Sequence, residues 1–124
     1  MGNRVLIADD ATFMRMLLRD ILTSNGYEVI GEAVDGAEAI SLYKKQKPDL
    51  VMLDISMPLV DGVRSVREIR AIDREAKIVM ISSMGQQEMV AESIRYGALD
   101  FVLKPFKSDR VIGTLEKALL GADE

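Results

Sequence analysis

The stretch VLIADD at residues 5–10 joins four apolar residues directly to two acids. A continuous apolar run of this kind is typical of a strand buried on both faces of a parallel sheet. Four similar runs follow it along the chain: Val29–Ala33, Leu50–Leu53, Ile78–Ser82 and Phe101–Leu103. The chain is therefore predicted to contain five such strands.

The segments between the strands have the apolar spacing of helices. The first carries an apolar stripe, predicted to face inward, at Phe13, Leu17, Leu18, Ile21 and Leu22. The third carries another at Val63, Val66, Ile69 and Ile72. This alternation predicts an α/β fold of the (βα)5 type, a doubly wound five-stranded parallel sheet with right-handed crossovers and helices on both faces.

Composition limits the functions open to the chain. Its 124 residues correspond to one ordinary domain, and they include no cysteine and no histidine. Disulfides, thiolate zinc sites and imidazole catalysis are thus excluded. The net charge of −4 argues against nucleic acid or anionic lipid as a partner. Since no apolar run approaches the ~20 residues of a membrane span and residues 1–12 lack a signal-peptide pattern, we expect a soluble cytoplasmic protein.

Five polar residues lie where predicted strands end: Asp9, Asp10, Asp54, Ser82 and Lys104. In open α/β sheets, ligands bind outside the carboxyl ends of the strands. Three crowded carboxylates repel one another unless a cation lies among them. A hydroxyl and an ammonium beside them favour a bound phosphoryl group.

A hard divalent cation with oxygen ligands would relieve this repulsion, and Mg²⁺ is the expected ion, with Mn²⁺ as a possible substitute. We expect Asp10 and Asp54 as direct ligands and Asp9 partly through water. The backbone carbonyl of Ser56 would complete the protein's share.

Each of these residues also has a simpler interpretation. Two adjacent acids can cap a helix, an aspartate or a serine can form a turn, and a lysine is usually solvated. The convergence of the strand ends at one edge favours a shared site over five separate explanations. The Lys104–Pro105 bond is left open between cis and trans.

The motifs resemble those of a response-regulator receiver domain over essentially the whole chain. They are VLIADD, D-x-x-MP at Asp54–Pro58, D-G at Asp61-Gly62, Ile81-Ser82, Gly97-Ala98 and KPF at Lys104–Phe106. The stretches ATFMR at 11–15 and MGQQ at 84–87 are similar to stand-alone CheY-type chemotaxis regulators. The resemblance implies a flavodoxin/CheY-like sheet of strand order 2-1-3-4-5. It also implies that residues 1–124 form a single receiver domain with no output domain.

The resemblance implies a role for each residue of the strand-end cluster. Asp54 would be the phosphoacceptor, and Asp9 and Asp10 would organise Mg²⁺. Lys104 would contact the phosphoryl group, and Ser82 would be the switch hydroxyl.

Further roles follow from matching positions outside the cluster. Phe101 falls at the aromatic switch position, where a tyrosine is common. Ser56 and Met84 flank the site, at positions that tune hydrolysis of the phosphoryl group. The face made by the fourth helix, the fifth strand and the fifth helix would bind a partner, with candidate residues Met89, Ile94, Tyr96, Lys107 and Arg110.

The implied function is phosphorylation-dependent signalling by a monomer that catalyses only its own phosphorylation and dephosphorylation. The implied partners are a CheA-type histidine kinase, a flagellar motor-switch protein or an archaeal chemotaxis adaptor, and a phosphatase. Three alternatives stay open: a phosphorelay receiver that passes phosphate to a histidine phosphotransfer protein, a metal-dependent phosphatase of small molecules, and a flavodoxin-like module that binds a flavin.

Overall fold

Five strands alternate with five helices in the computed structural model, which describes residues 2–121. The strands are β1 (Arg4–Ala8), β2 (Glu28–Ala33), β3 (Leu50–Asp54), β4 (Ile78–Ser82) and β5 (Asp100–Leu103). The helices are α1 (Thr12–Thr23), α2 (Gly36–Gln46), α3 (Gly62–Ile72), α4 (Gln87–Arg95) and α5 (Ser108–Gly121). The predicted α/β alternation is confirmed.

All five strands are parallel and lie in the order β2-β1-β3-β4-β5, which confirms the order implied by the resemblance. Their register aligns the strand ends. Ala8 pairs with Leu53, and Ser82 pairs with Leu103. The residues that follow β1 and β5 therefore emerge at the same edge as the last residues of β3 and β4.

The sheet separates two apolar cores, and alternate residues of each strand enter opposite ones. In β1, Leu6 and Ala8 belong to the core covered by α2, α3 and α4. Val5 and Ile7 belong to the core covered by α1 and α5. Burial on both faces explains why the central strands β1, β3 and β4 are almost continuously apolar, whereas the edge strands β2 and β5 are only partly buried. The buried central strands give the sheet a rigid edge.

Two residues of the predicted inward stripes are exposed. Phe13 is 64% exposed and Ile72 is 45% exposed, whereas Leu18 and Ile69 are fully buried. Phe13 lies in the first turn of α1 and Ile72 is the last residue of α3, so both lie near the end of a helix. Within residues 2–121, no helix has the length and apolar character needed to cross a bilayer.

A tyrosine hydroxyl joins α2 to the end of α3. The Tyr43 hydroxyl donates to Asp73 Oδ2 at 2.7 Å, and Asp73 is the C-cap residue of α3. This hydrogen bond, together with one from the backbone of Glu75, lowers the pKa of Asp73. The bond is thus strongest when Asp73 is ionised.

We predict that Tyr43→Phe lowers the free energy of unfolding at pH 7 by about 1 kcal/mol, the net value of one partly exposed hydrogen bond. A carboxyl whose folded pKa is depressed stabilises the protein above its unfolded pKa and loses that contribution as pH falls. The deficit should therefore shrink below about pH 4. Urea unfolding at several pH values measures it. Tyr27→Phe is the control, because the Tyr27 hydroxyl makes no side-chain hydrogen bond among residues 2–121. An equal deficit at pH 3 and pH 7 would contradict this assignment.

Candidate functional site

Two of the three acids at the carboxyl edge of the sheet are buried. Asp9 is 0% exposed and Asp54 is 4% exposed, while Asp10 is exposed. One carboxylate oxygen from each lies within 4.8 Å of the others. The neighbouring strands β1 and β3 therefore bring the three acids together, as the sequence predicts.

Asp9 is fixed at several atoms. Its backbone amide donates to the carbonyl of Ala33 at 3.1 Å, and its Oδ1 accepts from the amide of Ala11 at 2.9 Å. Ala11 is the N-cap of α1, and no side chain caps that helix. Capping is thus not the role of the acid pair.

Lys104 lies between the two buried carboxylates. Its Nζ is 3.2 Å from Asp54 Oδ2, within hydrogen-bond geometry, and also 3.2 Å from Asp9 Oδ2. The lysine directly follows β5, and its amide donates to the carbonyl of Ser82 in β4 at 2.9 Å, which holds it at this edge of the sheet. One ammonium thus faces two buried carboxylates and a third nearby, so negative charge remains in excess.

The pKa of Asp54 is raised by its surroundings. Burial, and then the charge of Asp9, raise the pKa of Asp54 to about 6, against the opposing effect of Lys104. Burial opposes the charged form of Lys104, but Asp54 and Asp9 outweigh it and raise the pKa of the lysine. The site is therefore short of positive charge.

The donor set fits a hard divalent cation. Three carboxylates offer oxygen atoms at close range, and the buried Asp9 Oδ2 has Lys104 Nζ at 3.2 Å but no well-aligned hydrogen bond among residues 2–121. Oxygen ligands of this kind suit Mg²⁺. The role predicted for the Ser56 carbonyl stays a prediction; the Ser56 amide donates to Asp54 Oδ1 at 3.3 Å.

The two predicted switch residues differ in exposure. Ser82 is 1% exposed, and its hydroxyl has no hydrogen-bond partner within the described chain. Phe101 is 38% exposed.

The Lys104–Pro105 bond, left open by the sequence, is cis.

The sequence does not identify Gln86 as a residue of the site, although it lies in the MGQQ stretch at 84–87. Its Nε2 donates to Ser56 Oγ at 2.9 Å, and its Oε1 accepts from the amide of Ser83 at 2.7 Å. The side chain thereby joins the loop after β3 to the loop after β4. Hydropathy periodicity cannot predict a contact between two loops.

Gly62 permits close packing behind the acid cluster. A Cβ there would lie 2.3 Å from the carbonyl oxygen of Asp54 and 2.7 Å from Cα of Ile55. A side chain at this position would therefore push the end of β3, and Asp54 with it, out of place.

The residues proposed for partner binding are all exposed. On or just after α4 they are Met89, Ile94 and Tyr96, at 39%, 44% and 38%. The guanidinium of Arg67 lies 4.7 Å from the centroid of the Tyr96 ring. Lys107 and Arg110 line a groove of about 680 Å³ that also includes Phe101 and Met84. The groove lies along β5 and the start of α5, and it reaches Lys104, which is paired with Asp9 and Asp54.

Comparison with known proteins agrees with this geometry. Residues 5–116 match the response regulator receiver domain family, and the chain belongs to that family. It is 52% identical to the chemotaxis protein CheY of Bacillus subtilis, over 96% of this chain and 99% of that protein. It is 56% identical to the chemotaxis protein CheY of Thermotoga maritima, over 94% and 98%. The chain is thus a receiver domain of the CheY type.

Solved structures agree as well. The CheX-CheY-BeF3-Mg²⁺ complex from Borrelia burgdorferi contains a chain that matches with a TM-score of 0.87 and 36% identity, over 94% of this chain and 87% of that one. NtrX from Brucella abortus matches with a TM-score of 0.91 and 36% identity, over 99% of this chain. This chain spans 28% of the NtrX chain.

We predict that Asp54→Asn stabilises the metal-free protein at pH 7 by about 2 kcal/mol, because the substitution removes a buried charge. A carboxyl whose folded pKa is raised favours the fold below its unfolded pKa, and that advantage is lost as pH rises through the folded value. The difference between the two proteins should thus develop between about pH 4 and pH 6. Urea unfolding in chelator measures it. A gain independent of pH would contradict this explanation.

Proposed function

We propose that this protein is a two-component phosphoacceptor in which Asp54 receives a phosphoryl group from a phosphohistidine on a separate kinase. One observation carries the proposal. Asp54 is buried at the end of β3, paired with Lys104 and within 4.8 Å of ligand atoms of Asp9 and Asp10. Since the chain contains no histidine, the donor must be another protein.

In the proposed reaction, an oxygen of the Asp54 carboxylate attacks phosphorus as the bond from phosphorus to the donor nitrogen breaks. The product is an acyl phosphate. The departing nitrogen keeps the electron pair of the broken bond, and a proton on the other ring nitrogen leaves the donor imidazole neutral. Lys104 would move its hydrogen bonds to the phosphoryl oxygens. With a folded pKa of about 6, Asp54 is mainly ionised at pH 7 and can act as the nucleophile.

The site would hold Mg²⁺ through Asp9, Asp10, Asp54 and the Ser56 carbonyl, and Mn²⁺ has ligand preferences close enough to substitute. When bound, the ion would neutralise charge that develops on the phosphoryl oxygens. The relative crystallised with Mg²⁺ and beryllium fluoride supports this choice of ion.

Loss of the phosphoryl group would require water to reach Asp54 past the loops that follow β3 and β4. Met84 is 83% exposed in one of these loops, and Ser56 is exposed in the other. We therefore assign these two side chains to control of the lifetime of the phosphorylated state.

The output would be a population shift. A phosphate adds three acceptor oxygens, and Ser82 has a buried hydroxyl free to donate to one of them. Movement of Ser82 would open space into which Phe101 turns. A shift from 1:99 to 99:1 needs about 5.5 kcal/mol of differential stabilisation. A few charge-assisted hydrogen bonds of about 1.5–3 kcal/mol each can supply this.

The receiver domain would signal by binding other proteins. Because the relatives are named chemotaxis proteins, the donor would be a CheA-type histidine kinase and the target a flagellar motor-switch protein or an archaeal chemotaxis adaptor. A phosphatase would be a third partner, and the relative crystallised with CheX also binds a second protein. The exposed residues Met89, Ile94, Tyr96, Lys107 and Arg110 would form the binding face.

We predict that incubation with acetyl phosphate and Mg²⁺ adds the mass of one phosphoryl group to the chain, and that Asp54→Asn abolishes the addition. Intact-mass spectrometry reads the result directly. Omission of Mg²⁺ is the matched control and should suppress it. Undiminished phosphorylation of the variant would show that another residue is the acceptor.

We further predict that Phe101→Ala is phosphorylated at a near-normal rate but binds its partner with weaker dependence on phosphorylation. Phe101 lies on β5 and is not one of the residues that would hold the ion or accept the phosphoryl group, so its loss should act on coupling. Binding to the purified motor-switch protein, with and without beryllium fluoride, measures the coupling. If phosphorylation and coupling both fell, the role given to Phe101 would be wrong.

A further inference from the structure

Arg15 on α1 lies mostly buried behind the acid cluster, with its side chain 13% exposed. Its Nη1 donates to the backbone carbonyl of Asp9 at 2.6 Å. Its Nε donates to Glu32 Oε1 at 3.0 Å, and its Nη2 donates to Thr12 Oγ1 at 3.3 Å. One guanidinium thus joins the end of β1 to β2 and to the first turn of α1.

The contact with the Asp9 carbonyl bears on Asp10. Because a peptide group is planar, fixing the Asp9 carbonyl also fixes the bond from nitrogen to Cα of Asp10. The Asp10 carboxylate itself makes no hydrogen bond within residues 2–121 and is exposed. Its direction toward the cluster therefore depends on the backbone that carries it.

We propose that Arg15 is a positioning residue for the divalent-cation site, because it holds the peptide between Asp9 and Asp10 in the orientation that directs the Asp10 carboxylate at the cation. This inference rests on the proposed function, since it takes the acid pair as the holder of Mg²⁺. Residues that orient metal ligands commonly set metal affinity without touching the metal.

The role requires arginine in particular. A guanidinium presents several donors in a rigid fork, so it can bind Glu32 with one nitrogen and the Asp9 carbonyl with another. A lysine ammonium is a single donor centre on a flexible chain, so it cannot reproduce the two separate positions of Nε and Nη1 that bind Glu32 and the Asp9 carbonyl.

Arg19 provides a matched control one helical turn further along α1. It also binds Glu32, through Nε to Oε2 at 2.8 Å, and its side chain is 45% exposed. It has the same charge and the same acidic partner as Arg15, but among the described residues it makes no hydrogen bond or ion pair with Asp9. Arg19→Gln removes a charge and an ion pair without disturbing the Asp9 carbonyl.

Isothermal titration with MgCl2 tests the inference on the folded chain and three variants. We expect Arg15→Gln to weaken Mg²⁺ binding by about tenfold, as for loss of other residues that orient metal ligands. Arg15→Lys should weaken it to a similar extent although it keeps the charge. Arg19→Gln should stay within about twofold of the unaltered chain, because exposed ion pairs contribute little. Saturating Mg²⁺ should restore phosphorylation of Arg15→Gln by acetyl phosphate.

Several outcomes would overturn the inference. They are an unchanged affinity in Arg15→Gln, full recovery in Arg15→Lys, equal weakening in Arg19→Gln, or a phosphorylation defect that saturating Mg²⁺ does not correct. If Arg15→Gln does not fold in urea-unfolding assays, Arg15→Lys alone carries the comparison. An unaltered chain that binds no Mg²⁺ would instead contradict the proposed function, so the two failures are distinguishable.

Discussion

The site depends on one electrostatic imbalance: the ammonium of Lys104 lies 3.2 Å from both Asp9 and Asp54, and it cannot neutralise two buried carboxylates and Asp10 as well. Buried like charges are costly unless they are compensated, so the cluster favours added positive charge. Burial, and then the negative charge of Asp9, raise the pKa of Asp54. Removal of an acid would relieve the repulsion between the carboxylates. A bound divalent cation would also relieve it, and this relief would favour binding of the cation.

The fold maintains this imbalance because the charged groups sit on strand ends or directly beside them. The strands β1 and β3 are neighbours, and the pairing of Ser82 with Leu103 brings Lys104 to the same edge. Strands buried on both faces cannot move apart to separate like charges without disrupting two cores. Flexible loops carrying the same residues would rearrange instead, and the affinity for a cation would be lost. The loops have a different role, because they flank Asp54 and do not carry the acids. Gln86 joins the loop after β3 to the loop after β4.

The sequence is sufficient to predict the strands and helices and the acid cluster, since all of these follow from where the apolar runs end. Hydropathy periodicity does not predict the strand order, because it is the same for any order of parallel strands. The prediction of the order depends on the resemblance to the receiver family. The prediction that Phe13 and Ile72 face inward is wrong. A helical stripe does not indicate where the sheet beneath it ends. Gln86 and Arg15 were missed for a different reason. Their partners lie in other loops or on backbone carbonyls, and no residue spacing encodes such contacts.

The central claim is that this edge of the sheet binds a divalent cation and a phosphoryl group on Asp54. A crystal structure of the chain with Mg²⁺ and beryllium fluoride tests it most directly. We expect beryllium fluoride bonded to the Asp54 carboxylate, with the ion on Asp10, Asp54 and the Ser56 carbonyl and with Lys104 turned toward the fluorides. A pocket that stayed empty, or a beryllium adduct on Asp9 or Asp10, would contradict the account.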